Sequence, residues 1–288
     1  IVGVAGLPAI LAAVERGSDV GLANKESLVV AGTILLPLAR QRGARLIPVD
    51  SEHSAIFQAL QAGRPQEVRR IYLTASGGPF RTWSPQRIAQ ASIQEALAHP
   101  TWSMGPKVTI DSATMMNKAL EIIEAHHLFQ VAPEQIEVLI HPESIVHSMV
   151  EFCDGSIIAQ LGMPDMRTPI QYAITYPERL PGLARPLSWS AIRTLHFEPP
   201  DPQRFPSLQL GYEAARRGGT CGAVLNAANE AAVECFRSGE IPFGRIAELA
   251  AQALRRHQTI PEPTLEELME ADASARREVR ECIRVGTC

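Results

Sequence analysis

The chain has no Cys-x-x-Cys pair. Its five cysteines, Cys153, Cys221, Cys235, Cys282 and Cys288, are scattered and odd in number. That excludes a zinc ribbon, argues against a disulfide scaffold, and fits a reducing, cytoplasmic setting. A dominant sign of charge is missing too. Lys and Arg number 27 against 31 Asp and Glu, a net charge of −4, so no basic field invites nucleic acid or anionic lipid, and neither is expected as a partner. Long apolar runs are also lacking. The longest, Ser27 to Ala39, contains Gly32 and Pro37 and stops at Arg40; it is too short for a bilayer and is expected as a buried helix, not a membrane anchor. No n-region and cleavage site open the chain. An initiator Met is absent, and the opening Ile1-Val2-Gly3-Val4-Ala5 is apolar. Such a start reads as the inside of a longer protein, so bacterial-type cytoplasmic and plastid locations both stay open.

What is present is a globular composition. Hydrophobic residues make up 45% of the 288 and charged residues 20%, enough to bury a sizeable core, and the length suggests about two domains. Helix and strand patterns alternate at first: helix over 8–16, strand 19–23, helix 27–41, strand 45–49, helix 54–62, strand 68–73. That alternation predicts βαβ units and a parallel sheet. A loop is expected over 99–107 and a helix over 113–129. Strands over 136–140, 145–152 and 156–161 follow, the last two joined by a turn at Asp154-Gly155, so the sheet becomes mixed. Prolines crowd 181–208 as a linker, and the rest reads as helices near 222–237, 243–256 and 264–284.

Polar groups at the ends of parallel strands are the expected ligand positions. Asp50-Ser51-Glu52 follows an apolar strand. In extended backbone residues two apart face the same way, and two close carboxylates suit a hard cation, Mg²⁺ or Mn²⁺. The competing reading makes them solvated acids, with Asp50 or Ser51 capping the next helix. On the helix after Met115, Asn117, Glu121 and Glu124 form a polar stripe with Lys118 beside it. It is either a solvated face with a Lys118–Glu121 pair, or a third metal carboxylate, Glu121, with Asn117 and Lys118 as substrate donors. Ser76-Gly77-Gly78 after a strand, and Ser112 before a helix N-terminus, together outline an anion pocket with Lys118. Each alone has a plain reading as a turn or a cap. In the loop from His99 to Gly105, Trp102 and Met104 suit a lid that excludes water; otherwise Trp102 tucks into the core. Lys25 is either a cation at its strand end or a solvated lysine. The remaining histidines show no metal-ligand spacing with each other and are read as structural.

The ordered strings are more specific than any one of these. Leu22-Ala-Asn-Lys-Glu-Ser27, Pro48-Val-Asp-Ser-Glu-His-Ser54, Ser76-Gly-Gly-Pro-Phe-Arg81, His99-Pro-Thr-Trp-Ser-Met-Gly105, Asp111-Ser-Ala-Thr-Met-Met-Asn-Lys118, Gly162-Met-Pro-Asp-Met-Arg-Thr-Pro169 and Leu225-Asn-Ala-Ala-Asn-Glu230 occur in turn. Over essentially its whole length the chain resembles the 1-deoxy-D-xylulose 5-phosphate reductoisomerase family. The resemblance implies an α/β fold in parts: a Rossmann-like dinucleotide remnant over 1–49, a catalytic and dimerisation domain with a mixed sheet over 50–185, a linker over 186–210 and a C-terminal helical bundle over 211–288. It implies NADPH, Mg²⁺ or Mn²⁺ (with Co²⁺ a further candidate), a phosphosugar substrate and a homodimer.

The same resemblance assigns residues. Metal ligands fall on Asp50, Glu52 and Glu121. Catalytic roles fall on Lys25, Glu52 and Glu121. Substrate contacts fall on Ser51, Glu52, Ser76, His99, Trp102, Ser112, Asn117, Lys118 and Glu121. Cofactor contacts fall on Gly3, Asn24, Lys25, Glu26, Met104, Gly105 and Met166. The implied reaction is a retro-aldol cleavage and aldol recombination to a branched aldehyde phosphate, then hydride reduction by NADPH to 2-C-methyl-D-erythritol 4-phosphate. Two departures stand out. Ala75 sits where relatives often carry Gly. The family's Gly-rich phosphate fingerprint has no counterpart here, so roughly 100 residues, two or more βαβ units, are expected to be missing and NADPH binding by this chain is expected to be weak. Two alternatives stay open: a nucleotide-independent metal phosphosugar isomerase or aldolase, and an inactive fragment.

Overall fold

The computed structural model describes residues 3–286. Helix α1 (Leu7–Glu15) leads into β1 (Val20–Leu22), α2 (Lys25–Arg42), β2 (Leu46–Pro48) and α3 (Ser51–Ala59). β1 and β2 pair in parallel, Val20 opposite Leu46 and Leu22 opposite Pro48. α2 is therefore a crossover helix, and both strands release the chain at the same edge of the sheet. Lys25 opens one of the helices that start there, and Asp50 immediately precedes the other.

The second sheet has four strands. β3 (Val68–Ala75) is followed by α4 (Pro85–Ala89), α5 (Ile93–Ala96), α6 (Pro106–Ala113) and α7 (Met116–Phe129). Then come β4 (Ile136–Ile140), β5 (Val146–Phe152) and β6 (Ile157–Leu161). The order is β4-β3-β5-β6. β3 runs parallel to β4 and antiparallel to β5, and β5 antiparallel to β6, which is the mixed sheet expected from the pattern. Asp154-Gly155 makes the β5–β6 turn: the Ser156 amide donates to Asp154 Oδ1 at 2.9 Å.

Helix α8 (Arg167–Thr175) precedes a long irregular stretch, and α9 (Ser207–Arg217), α10 (Cys221–Arg237), α11 (Arg245–Arg256) and α12 (Leu265–Val285) complete the described chain. One hydrophobic cluster joins Ile71 and Leu73 of β3, Leu120 and Ile123 of α7, and Val224, Leu225 and Phe236 of α10. A second joins Leu7 of α1 and Leu28 and Leu35 of α2 to Ala223 and Leu268. α10 thus packs against both halves of the molecule. It sits so close to α2 that a Cβ on Gly222 would lie 2.1 Å from the carbonyl oxygen of Val29; no side chain fits there without moving backbone.

Several elements differ from expectation: the helix expected over 54–62 is α3 at 51–59, and α4, α5 and α8 were not anticipated. The loop over 99–107 ends early, because Pro106 opens α6 from a first-turn position where its missing N–H costs nothing. The helix expected over 113–129 begins at Met116, after Met115 adopts left-handed geometry at φ 59°. And α9 starts at Ser207, inside the proline-rich stretch read as linker, since a proline flanking a helix start does not break it.

Candidate active site

A cavity of about 310 Å³ lies beyond the C-terminal ends of β1, β2 and β3. Its floor is a buried charge cluster. Lys25, the first residue of α2, places Nζ 2.5 Å from Asp50 Oδ2 and 2.9 Å from Glu121 Oε1, and donates to Asn117 Oδ1 at 2.9 Å. Lys118 places Nζ 2.9 Å from Glu52 Oε1 and also contacts Glu121 Oε2. Glu121 is completely buried beneath the cavity, bridging the two ammonium groups. Three carboxylates meet two ammonium groups here, so the cluster carries an uncompensated negative charge. That is the donor chemistry a hard divalent cation takes.

Neither acid is freely solvated, and neither caps the helix. Asp50 occupies the N-cap position of α3, yet its side chain makes no capping bond; it is turned to Lys25 instead. Glu52 lies in the first turn of α3, not on extended backbone, so the pairing of Asp50 and Glu52 comes from a strand-to-helix turn and not from strand alternation. The Lys118–Glu121 pair exists, but it is buried, not on a solvated face. Burial works against Lys25 carrying charge, but Asp50 and Glu121 outweigh it and hold its pKa well above the ordinary lysine range. Burial would raise Asp50; the ammonium of Lys25 overcomes it and holds this carboxyl far below the usual range. Glu52 shifts upward, through burial and the nearby Glu121 and Asp50 carboxylates, against the pull of Lys118.

The sequence reading missed one member of this cluster, His53, and named Glu124 without giving it a partner. Asp50, Glu121 and His53 bring ligand atoms within 4.8 Å of one another, so His53, read as structural, joins the carboxylates where Glu52 turns to Lys118. Its Nε2 donates to the Glu121 carbonyl at 3.1 Å, which leaves Nδ1 facing Glu124 Oε2 at 3.4 Å. Burial lowers His53 to about 4, and burial with the Asp50 charge raises Glu124 well above the carboxylate range. Burial thus works against charge on both members of the pair. The i, i+3 spacing of Glu121 and Glu124 carried that signal; the two-helix encounter with His53 did not show in sequence.

Next to this cluster the cavity wall carries the loop after β3 and the start of α7. Gly77 and Gly78 take left-handed backbone at φ 85° and 66°, and a Cβ on Gly78 would meet the Ser112 carbonyl at 2.6 Å. The loop after β3 therefore lies directly on Ser112. Contrary to expectation, Ser112 sits in the last turn of α6; the helix N-terminus in this wall is that of α7, which carries Asn117 and Lys118 in its first turn. Ser76, Ser112, Asn117 and Lys118 all line the cavity. Ala75 is accommodated at the end of β3, where its carbonyl accepts the His141 amide at 2.7 Å.

The 99–105 loop covers this part of the cavity. Trp102 is half-buried at the cavity wall, not in the core. The amides of Thr101 and Trp102 donate to His99 Nδ1 at 3.1 and 2.9 Å. Nδ1 is thus the acceptor, and Nε2 carries the proton that it donates to Ser76 Oγ at 3.2 Å. Burial lowers the His99 pKa and favours this neutral form.

On the remaining side Asn24, Lys25, Glu26, Met104 and Met166 line the cavity. Ser51 lines it near the acids and donates to Glu52 Oε2 at 2.6 Å. Gly3 and Gly105 do not line it. Gly3 accepts from Asn24 Nδ2 at 3.0 Å behind the wall, and Gly105 caps α6. His147, Thr74 and Ser144 line the cavity without having been anticipated.

A carboxylate–lysine centre beside an anion pocket, under a loop and at the ends of parallel strands, defines an α/β enzyme acting on a phosphorylated small molecule. The chain belongs to the 1-deoxy-D-xylulose 5-phosphate reductoisomerase family. Profiles described as the 1-deoxy-D-xylulose 5-phosphate reductoisomerase C-terminal domain and the DXP reductoisomerase C-terminal domain match residues 46–129 and 161–278, and a third, for 1-deoxy-D-xylulose 5-phosphate reductoisomerase, matches 1–32. The 1-deoxy-D-xylulose 5-phosphate reductoisomerase of Geobacillus sp. (strain WCH70) is 56% identical over 97% of this chain and 74% of its own length. That of Symbiobacterium thermophilum is 56% identical over 98% and 72%. The Zymomonas mobilis enzyme solved in complex with NADPH superposes with a TM-score of 0.92 at 47% identity, covering 98% of this chain and 73% of that one. A DOX-P reductoisomerase solved with NADPH, fosmidomycin and magnesium gives 0.93 at 43% identity, covering 99% and 74%.

Two outcomes follow from this geometry. Glu121→Gln leaves two buried ammonium groups short of a partner, so the metal-free variant should lose about 3–5 kcal/mol of stability. Mg²⁺ should raise the melting temperature of the parent protein and not of the variant; equal Mg²⁺ stabilisation of both would remove Glu121 from the metal site. Acid should also loosen the lid. As pH falls below about 6.5 towards the depressed pKa of His99, protonation at Nδ1 removes the acceptor for the Thr101 and Trp102 amides. With Trp83 and Trp189 replaced by Phe, Trp102 fluorescence should change in that range, and the change should vanish in His99→Gln.

Proposed function

We propose that this cavity rearranges and reduces a phosphorylated deoxyketose, with the residues in the roles given below. The protein is an NADPH- and divalent-metal-dependent reductoisomerase of non-mevalonate isoprenoid biosynthesis, acting on 1-deoxy-D-xylulose 5-phosphate. The observation that carries the residue roles is the cluster of Lys25, Asp50, Glu52 and Lys118 in the wall of the same cavity as Ser76 and Ser112, with Glu121 buried beneath it. Asp50, Glu52 and Glu121 are the residues to hold Mg²⁺ or Mn²⁺, and the donor set fits: oxygen ligands with excess negative charge. The bound cation supplies Lewis-acid polarisation and NADPH supplies the hydride.

The chain's own groups do the rest. Lys25 is charged and aimed at the acids, so it orients substrate oxygens and offsets negative charge that develops on them. Ser76, Ser112, Asn117 and Lys118 grip the phosphate. That grip is remote from the reacting carbons, and its binding energy offsets the ordering of the lid. His99 offers an N–H to the same end, while Trp102 and Met104 exclude water. Asn24, Glu26 and Met166 face the reacting end from the nicotinamide side. We assign residues 1–49 to the nucleotide-binding part, 50–185 to the catalytic part, 186–210 to the linker and 211–288 to the helical part.

No helix among the described residues is long and apolar enough to cross a membrane. A cytoplasmic setting is our reading, supported by the bacterial relatives. We also propose a homodimer. β6 is the edge strand of its sheet with Ile157 and Ile158 exposed, and α8 beyond it exposes Ile170 and Ile174, the latter to 78%. Edge strands and apolar surface of this kind seek cover, and a second copy supplies it.

Incubation with 1-deoxy-D-xylulose 5-phosphate should oxidise NADPH only when Mg²⁺ is present, and chelation should stop it. Product formation without NADPH would favour the nucleotide-independent isomerase instead. In sedimentation the mass should be twice that of one chain, and Ile158→Glu should halve it; a monomeric parent protein would refute the dimer.

A further inference from the structure

A second buried charge group borders the cavity and centres on Lys107, a residue that none of the roles above uses. Lys107 is the second residue of α6, two positions past the end of the lid. Its side chain is 16% exposed, and Nζ lies 3.0 Å from Glu26 Oε1 and 2.8 Å from Asp111 Oδ2. Each acid spends its other oxygen on a different part of the fold. Glu26 Oε2 accepts from Asn24 Nδ2 at 2.9 Å, and that amide also reaches the Gly3 carbonyl at 3.0 Å. Asp111 Oδ1 accepts from Asn229 Nδ2 of α10 at 2.8 Å. Glu26, Asp111 and Asn229 are all buried.

One ammonium therefore ties together the start of α2, the stem of the lid and a helix from the far end of the chain. Buried ion pairs are poor sources of net stability compared with apolar packing; what they hold well is relative geometry. The geometry at stake is specific. Glu26 is the immediate neighbour of Lys25, so fixing its carboxylate fixes the turn from which Lys25 reaches Asp50 and Glu121. At its other end Lys107 anchors the two-residue connection from Gly105, which carries Met104 and Trp102. Burial would lower the pKa of Lys107, but Asp111 and Glu26 outweigh it and keep the lysine charged.

We propose that Lys107 is a positioning residue for the reductoisomerase reaction, holding the first turn of α2 and the stem of the lid in one register through Glu26 and Asp111. This rests on the function given above and adds to it a residue that touches neither substrate nor metal. Misplacing reacting groups by about 1 Å costs on the order of 100-fold in rate. In the active enzyme Lys107→Met should accordingly lower kcat at least tenfold at saturating substrate and NADPH, with KM for substrate changed much less. Lys107→Arg, which keeps the charge and both acceptors, should recover most of the loss. Because the ammonium acts partly through Glu26, Lys107→Met combined with Glu26→Gln should be little worse than Lys107→Met alone.

A second reading needs no turnover: chymotryptic cleavage after Trp102 should accelerate several-fold in Lys107→Met below its melting temperature. If Lys107→Met does not fold, Glu26→Gln and Lys107→Arg carry the test alone, the first lowering kcat and the second sparing it. An unchanged kcat in folded Lys107→Met or Glu26→Gln, strictly additive losses, or an unaltered cleavage rate would overturn the proposal. Absence of NADPH-dependent turnover in the parent protein would instead overturn the functional reading, and the cleavage comparison would still stand.

Discussion

The structure depends on two lysines kept charged among acids, largely out of water. Burial alone would push the pKa of Lys25 and of Lys118 down. Asp50, Glu52 and Glu121 prevent it, and Glu121 does so for both at once from a position with no solvent exposure. Such an arrangement is expensive to assemble, since every member must be brought in with its partners. The surrounding fold can be understood as what brings these partners to one point. β1 and β2 run in parallel and deliver Lys25 and Asp50 to the same edge. α7 crosses behind them and contributes Asn117, Lys118 and Glu121 from successive turns of one face.

Around this floor the chain adds groups that act at a distance from the acids. The glycines after β3 let backbone lie on Ser112, and the lid above is internally organised by the ring of His99. The neutral tautomer of His99 is not an accident of placement: two lid amides claim Nδ1, so the remaining N–H must point at Ser76. Lys107 extends the same logic outward. It is not part of the cavity floor, but it connects the residue next to Lys25 with the stem of the lid and with Asn229. Two charge networks, one around Lys25 and Lys118 and one around Lys107, thus share the first turn of α2.

Much of this was legible before any coordinates. The alternation of helix and strand, the mixed sheet and the turn at Asp154 follow from local patterning, and local patterning is what sequence periodicity records. Less legible were the boundaries at prolines. Pro106 and Pro206 flank helix starts, and a proline reads the same whether it ends a loop or begins a helix. Ser112 was misplaced for a related reason: the left-handed turn at Met115 splits what looks like one helix into two, and no residue type there announces it. The Asp50–Glu52 reading argued from extended backbone, although α3 begins between the two residues.

Sequence by itself determined which residue types were available and roughly how each segment would fold, because backbone preference and apolar periodicity are short-range. It also showed, through ordered strings along the chain, which family those residues belong to. Tertiary structure alone decided which acid meets which lysine. Lys25 and Glu121 are 96 positions apart, and Lys107 and Glu26 are 81 apart. No local rule spans such distances; only the packing of α2, α6 and α7 closes them. That is why the meeting of His53 with Glu124, and of Lys107 with Glu26, could not be read from the sequence. A charged side chain reveals its role only when burial removes its water and leaves it with the partners that the fold supplies.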